Sequence, residues 1–119
     1  MSDPLRNRPH WTFLTNHAHV LLCIAKNPEV RLRDIADVVG VTERAVHSIV
    51  TDLAEAGFVD VARDGRRNVY VIHPEKNLRH PIEAHCHVAD LVRAIEGDEQ
   101  HDRNLQKKDE YTPPETRDE

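Results

Sequence analysis

Two clusters of side chains in this chain have types and spacings that could do recognition chemistry. From Thr42 to Thr51 the sequence reads TERAVHSIVT. On a 3.6-residue repeat Arg44, His47, Ser48 and Thr51 share one side, while Val46, Ile49, Val50 and Leu53 share the other. A polar stripe with one guanidinium and one imidazole near a helix N-terminus suits the reading of base edges in a DNA major groove. Thr42 and Glu43 open the stripe, and Asp52 flanks it. The second cluster is Arg63, Arg66 and Arg67 with Asn68, gathered around Asp64-Gly65. Guanidiniums crowded at one chain reversal are placed to meet phosphates or an adjacent minor groove. Taken alone, the stripe would be an ordinary solvated face. The basic cluster that follows turns the reading toward double-stranded DNA.

Other chemistries fare less well. His80, His85, Cys86 and His87 lie close together, yet helical residues two apart point about 200° apart, so His85 and His87 cannot grip one ion from one chain. His17 and His19 have the same spacing, and neither a CxxC nor a His-x3-His pair occurs. A site shared across a dimer, or with His17 and His19, stays open. Ordinary hydrogen-bonded histidines are the preferred reading. Redox sensing would need a thiolate in an electropositive, accessible setting, whereas Cys23 and Cys86 both lie in apolar helical contexts. No set of nucleophile, base and orienting group is present, and no glycine loop that could cradle a phosphate. We therefore expect no enzyme activity, no cofactor and no metal site.

The elements that must position the two clusters can be read from periodicity. Leu32, Ile35, Ala36 and Val39 mark a helix with one buried face. Gly40 stands where a left-handed C′ residue is wanted. Thr42 can cap the next helix, and Val41 with Val46 can staple it. Gly57 ends that helix, so Leu32 to Gly57 is expected to form a helix-turn-helix. The pattern then switches to period two, with strands at Phe58–Ala62 and Val69–Ile72 and a turn over Arg63–Asn68. The expected fold class is mainly α with a small β-hairpin wing.

The run RLRDIADVVGVTERAVHSIVTDLAEAGFVDVARDGRRNVYVI resembles the winged helix-turn-helix of transcriptional regulators of the MarR and ArsR type. Asp34-Ile35-Ala36, Gly40-Val41-Thr42, Val46, Leu53, Ala56-Gly57-Phe58 and the Arg66-Arg67 wing carry the likeness, which covers roughly residues 11 to 73. The resemblance implies sequence-specific binding of duplex DNA, a short strand over Glu29–Leu32 beside the wing, and a dimer made by terminal helices. It also brings an unknown small-molecule or metal effector into view, as in the ArsR-type sensors. A winged-helix module that binds protein is the other alternative, because one scaffold hosts both roles.

The rest of the chain is read around that unit. Residues 1–10 are polar with two prolines and are expected to be a flexible arm, with Arg6 and Arg8 available to phosphates. Residues 11–74 are the expected DNA-binding domain. It opens with a helix from Trp11 to Lys26 whose apolar face includes Leu14 and is stopped by Asn27-Pro28. His80-Pro81 is expected to start a last helix over residues 80–96. Its seam of Ile82, Cys86, Ala89, Leu91, Val92 and Ile95, joined by Trp11 and Leu14, is the expected homodimer interface. Residues 97–119 read as a disordered acidic tail.

The net charge of −5 at first opposes DNA binding. Residues 96–119 hold nine acidic against four basic side chains, however, and residues 1–95 hold twelve of each. The tail carries the acidity and the remainder is neutral, which favours weak non-specific binding. The neutral balance, with Glu43 and Asp52 beside the stripe, is what keeps the protein-binding alternative alive. Sparse aromatics argue against base stacking on single strands. No apolar run approaches the ~20 residues that cross a bilayer, and no signal-peptide pattern is present. Two cysteines are too few to staple a fold, so a reducing cytoplasm is the expected location, away from membranes.

Overall fold

The computed structural model describes residues 9–103. The chain divides into a first unit that ends at Lys76 and a second that begins at Asn77. Three helices and a hairpin build the first: α1 (Asn16–Lys26), α2 (Leu32–Val39), α3 (Glu43–Glu55), β1 (Val59–Asp64) and β2 (Arg67–Ile72). This is the winged helix-turn-helix expected from the sequence. Its core gathers Val20, Leu21 and Ile24 of α1, Ile35 and Val39 of α2, and Val46, Ile49, Val50 and Leu53 of α3, with Phe58 just before the wing, Val59 of β1 and Tyr70 of β2. Burying each such side chain stabilises the fold by about 1.5–3 kcal/mol.

Helix α1 starts at Asn16, five residues later than Trp11, because Thr15 caps it: the Ala18 N–H donates to Thr15 Oγ1 at 3.2 Å. Trp11 and Phe13 precede the helix and stack edge to face, with ring centroids 5.1 Å apart. Both are exposed, Phe13 to 90%. The expected strand over Glu29–Leu32 does not form. A single backbone bond, from the Tyr70 N–H to the Pro28 carbonyl at 2.9 Å, ties this turn to β2.

The turn of the helix-turn-helix follows the sequence reading closely. Gly40 has φ +88, and the N–H groups of Gly40 and Val41 both reach the Ala36 carbonyl, at 2.8 and 3.1 Å. Thr42 then caps α3 by accepting from the Ala45 N–H at 3.0 Å. The wing is tighter than expected. Val59 pairs with Ile72 and Asp64 with Arg67, so both strands extend through the region read as a turn and only Gly65-Arg66 loops. Opposite charges facing each other at the last pair, and glycine at the first loop position, favour this two-residue closure.

In the second unit α4 spans Val88–Arg103, not residues 80–96. Residues 77–87 fold into a small loop instead, closed by an Asn77–His87 bridge, a Leu78 N–H to Cys86 carbonyl bond of 2.9 Å, and Asn77 Nδ2 donating to the Ala84 carbonyl at 2.8 Å. The start signal is Asp90, whose Oδ2 accepts from the His87 N–H at 2.8 Å in the manner of a capping box. Ile82 and Cys86 therefore precede the helix. The helix also continues past Gly97, into residues that the sequence reading assigned to the acidic tail. The remainder of the expected tail, residues 104–119, and most of the expected arm, residues 1–8, lie outside the described residues. No described helix is long and apolar enough to cross a membrane.

Candidate nucleic-acid interface

The burial of α3 divides its residues as a reading helix requires. Val46, Ile49, Val50 and Leu53 are buried, while Thr42, Glu43, Arg44, His47, Ser48 and Thr51 are all exposed. The Thr42 hydroxyl is committed to the cap. Arg44 makes no side-chain hydrogen bond or ion pair with the described residues, so its five donors remain available. Asp52, at the far end of the stripe, is held by His17 of α1 through a 2.8 Å contact between Nε2 and Oδ2. That contact anchors the outward face of α3 to α1 and keeps the carboxylate turned to the histidine.

The wing separates its arginines rather than gathering them. Strand alternation puts Arg63 and Asn68, cross-strand partners, on the face that also carries the buried Val59 and Tyr70. Arg67 lies on the opposite face beside Asp64, and Arg66 sits in the loop. Arg63 and Arg66 are exposed and have no ion-pair partner among the described residues. Arg67 does have one: Nη1 lies 3.2 Å from Glu29 Oε1. Asn68 is half-buried. At the wing base His73 Nε2 contacts Asp60 Oδ2 at 2.9 Å, and Lys76 Nζ stands 5.4 Å from the Phe58 ring centroid.

Sequence reasoning set Glu29 beside the wing but did not pair it with Arg67, nor His17 with Asp52 or His73 with Asp60. Glu29 and Arg67 are separated by 38 residues and His17 and Asp52 by 35, and no local periodicity signals such a pair. Among the described residues no group of three or more His, Cys, Asp or Glu side chains could hold a metal ion. His85 and His87 are exposed, and Cys23 and Cys86 are half-buried. Of the residues expected at a dimer seam, Ile82 and Ile95 are exposed with Trp11, and Leu14, Cys86, Ala89, Leu91 and Val92 are half-buried. Only Ala89, Leu91, Val92 and Ile95 share a helix.

A family model described as MarR family matches residues 12–67. No curated protein matches the chain. Among solved structures the chain is similar to ZitR of Lactococcus lactis, a zinc-responsive MarR family member, at 14% identity and a TM-score of 0.49, covering 91% of this chain and 69% of that one. It is also similar to the PcaV transcriptional regulator of Streptomyces coelicolor, solved with its natural ligand, at 23% identity and a TM-score of 0.46, covering 88% and 77%. The family match runs from the residues before α1 through the helix-turn-helix into the wing, 56 of the 119 residues, so the likeness is to the winged helix-turn-helix of that family.

Proposed function

We propose that this protein is a sequence-specific regulator in which α3 enters the major groove of duplex DNA and the wing follows the backbone or the adjacent minor groove. The observation that carries this reading is the exposed stripe of Arg44, His47, Ser48 and Thr51 on a capped helix whose other side is buried. Arg44 supplies the bidentate contact to guanine, since it alone in the stripe has the fork geometry. Arg63, Arg66 and Arg67 supply phosphate contacts, with Asn68 beside them. These positions are the ones that group the first unit, residues 11–74 in functional terms, into a DNA-binding domain.

The working form is a two-fold dimer. One winged helix reads only a few base pairs, and two of them reach half-sites ~34–36 Å apart. Leu91, Val92 and Ile95 follow the buried Val88 at i+3, i+4 and i+7 along α4, and these three half-buried or exposed side chains are the apolar surface suited to a partner helix. A small-molecule effector would act by changing the spacing of the two reading helices. Binding of duplex DNA as a function of salt tests the proposal: log K should fall linearly with log salt at a slope set by the phosphates neutralised. A slope near zero, or no binding at low salt, would return the scaffold to protein recognition.

A further inference from the structure

We propose that Glu29 is an internal competitor for DNA: its carboxylate holds the Arg67 guanidinium in the unbound protein and releases it to a phosphate on binding. The inference rests on the reading of Arg67 as a phosphate contact. Arg67 differs from the other arginines of the interface in having a carboxylate partner, Glu29 Oε1 at 3.2 Å. That carboxylate is carried by a well-tied turn. The Glu29 N–H donates to Asn27 Oδ1 at 3.0 Å, the Val30 N–H to the Asn27 carbonyl at 3.0 Å, and the Tyr70 N–H of β2 to the Pro28 carbonyl at 2.9 Å. The last bond sets the turn beside β2 just three positions from Arg67, on a residue that is itself buried.

Carboxylate and phosphate oxygens use the same guanidinium donors, so Arg67 cannot serve both fully. Asp64, its cross-strand partner, adds negative charge on the same face. The Glu29 and Arg67 side chains are 56% and 59% exposed, so the pair is weak enough to exchange and its loss should leave the fold intact. Binding then trades one anion for another. The free carboxylate takes up a cation, which offsets part of the counterion release that Arg67 would otherwise contribute.

The test is a double-mutant cycle on the full-length protein with a mixed-sequence DNA duplex, measured across a range of salt. Glu29→Gln should tighten binding about two- to five-fold, the range of an exposed ion pair. Arg67→Ala should lower the salt slope by about one in the Glu29→Gln background and by less with Glu29 present. If Arg67→Ala has no effect even beside Glu29→Gln, Arg67 is not a phosphate contact and the competitor falls with that reading. If Arg67→Ala has the same effect in both backgrounds, the phosphate contact stands and the competitor alone is overturned. Weaker binding by Glu29→Gln would also overturn it, and would make Glu29 a positioning residue that aims Arg67 at DNA.

Discussion

Replacing Gly57 with Ala should destabilise the first unit by about 1.5–3 kcal/mol, more from backbone conformation than from crowding. Gly57 follows the last turn of α3 and sets the direction of the wing, with φ +85. A residue with a Cβ pays roughly 1–2 kcal/mol for this left-handed conformation. The added Cβ would meet Lys76 Nζ at 3.3 Å and Cε at 3.6 Å. Both atoms end a flexible side chain, so they can swing aside. Doing so forfeits the Lys76 contact with the Phe58 ring, worth about 0.5–1 kcal/mol. Gly65→Ala is the comparison, because φ there is +71 and a Cβ would meet nothing within 4 Å. It should carry only the backbone part. Urea unfolding followed by circular dichroism gives both costs from the midpoint, provided the slope m is unchanged. Gly57→Ala should exceed Gly65→Ala by the ring contact, and Lys76→Met in both backgrounds should shrink that difference. Equal costs at the two glycines would refute the role given to Lys76. A cost below about 0.5 kcal/mol at Gly57 would refute the backbone argument itself.

Three further outcomes are expected. Arg44→Ala should weaken binding to the preferred DNA sequence by roughly 1–3 kcal/mol and relax preference at one base position. Because Arg44 is exposed, its loss should change stability by no more than about 0.5 kcal/mol; selection from a random duplex pool that returned an unaltered motif would reject the placement of α3. Arg63→Ala and Arg66→Ala should each weaken binding similarly for all sequences and lower the salt slope by about one, and an unchanged slope in both variants would remove the wing from the interface. Full-length protein should sediment as a dimer at micromolar concentration, and truncation after Lys76 should abolish this. Leu91→Asp or Val92→Asp should disrupt the dimer by burying an unpaired carboxylate; a monomeric full-length protein contradicts the assignment of α4.

What could be read directly from the chain was local. Gly40, Thr42, Val46 and Gly57 act within a turn or two of themselves, so the helix-turn-helix and its polar stripe were legible with residue accuracy. The same locality misled at the helix starts. Trp11 and Pro81 look like openings, but Thr15 and Asp90 make the capping bonds that begin α1 and α4. Periodicity continues through a cap without marking it, whereas a hydrogen bond to an orphan N–H does mark it. The wing shows the other limit. Its arginines are neighbours in sequence, yet strand register sends Arg63 and Arg67 to opposite faces, and a shift of one residue would have put them on the same face. Which arginine is held and which is free depended on Glu29, 38 residues away. The reading helix, its turn and the residues on its outer face thus follow from spacing along one helix and need nothing beyond the chain. Tertiary structure alone decided the company those residues keep — Arg67 with Glu29, Asp52 with His17 — because such pairs form only when distant elements pack together.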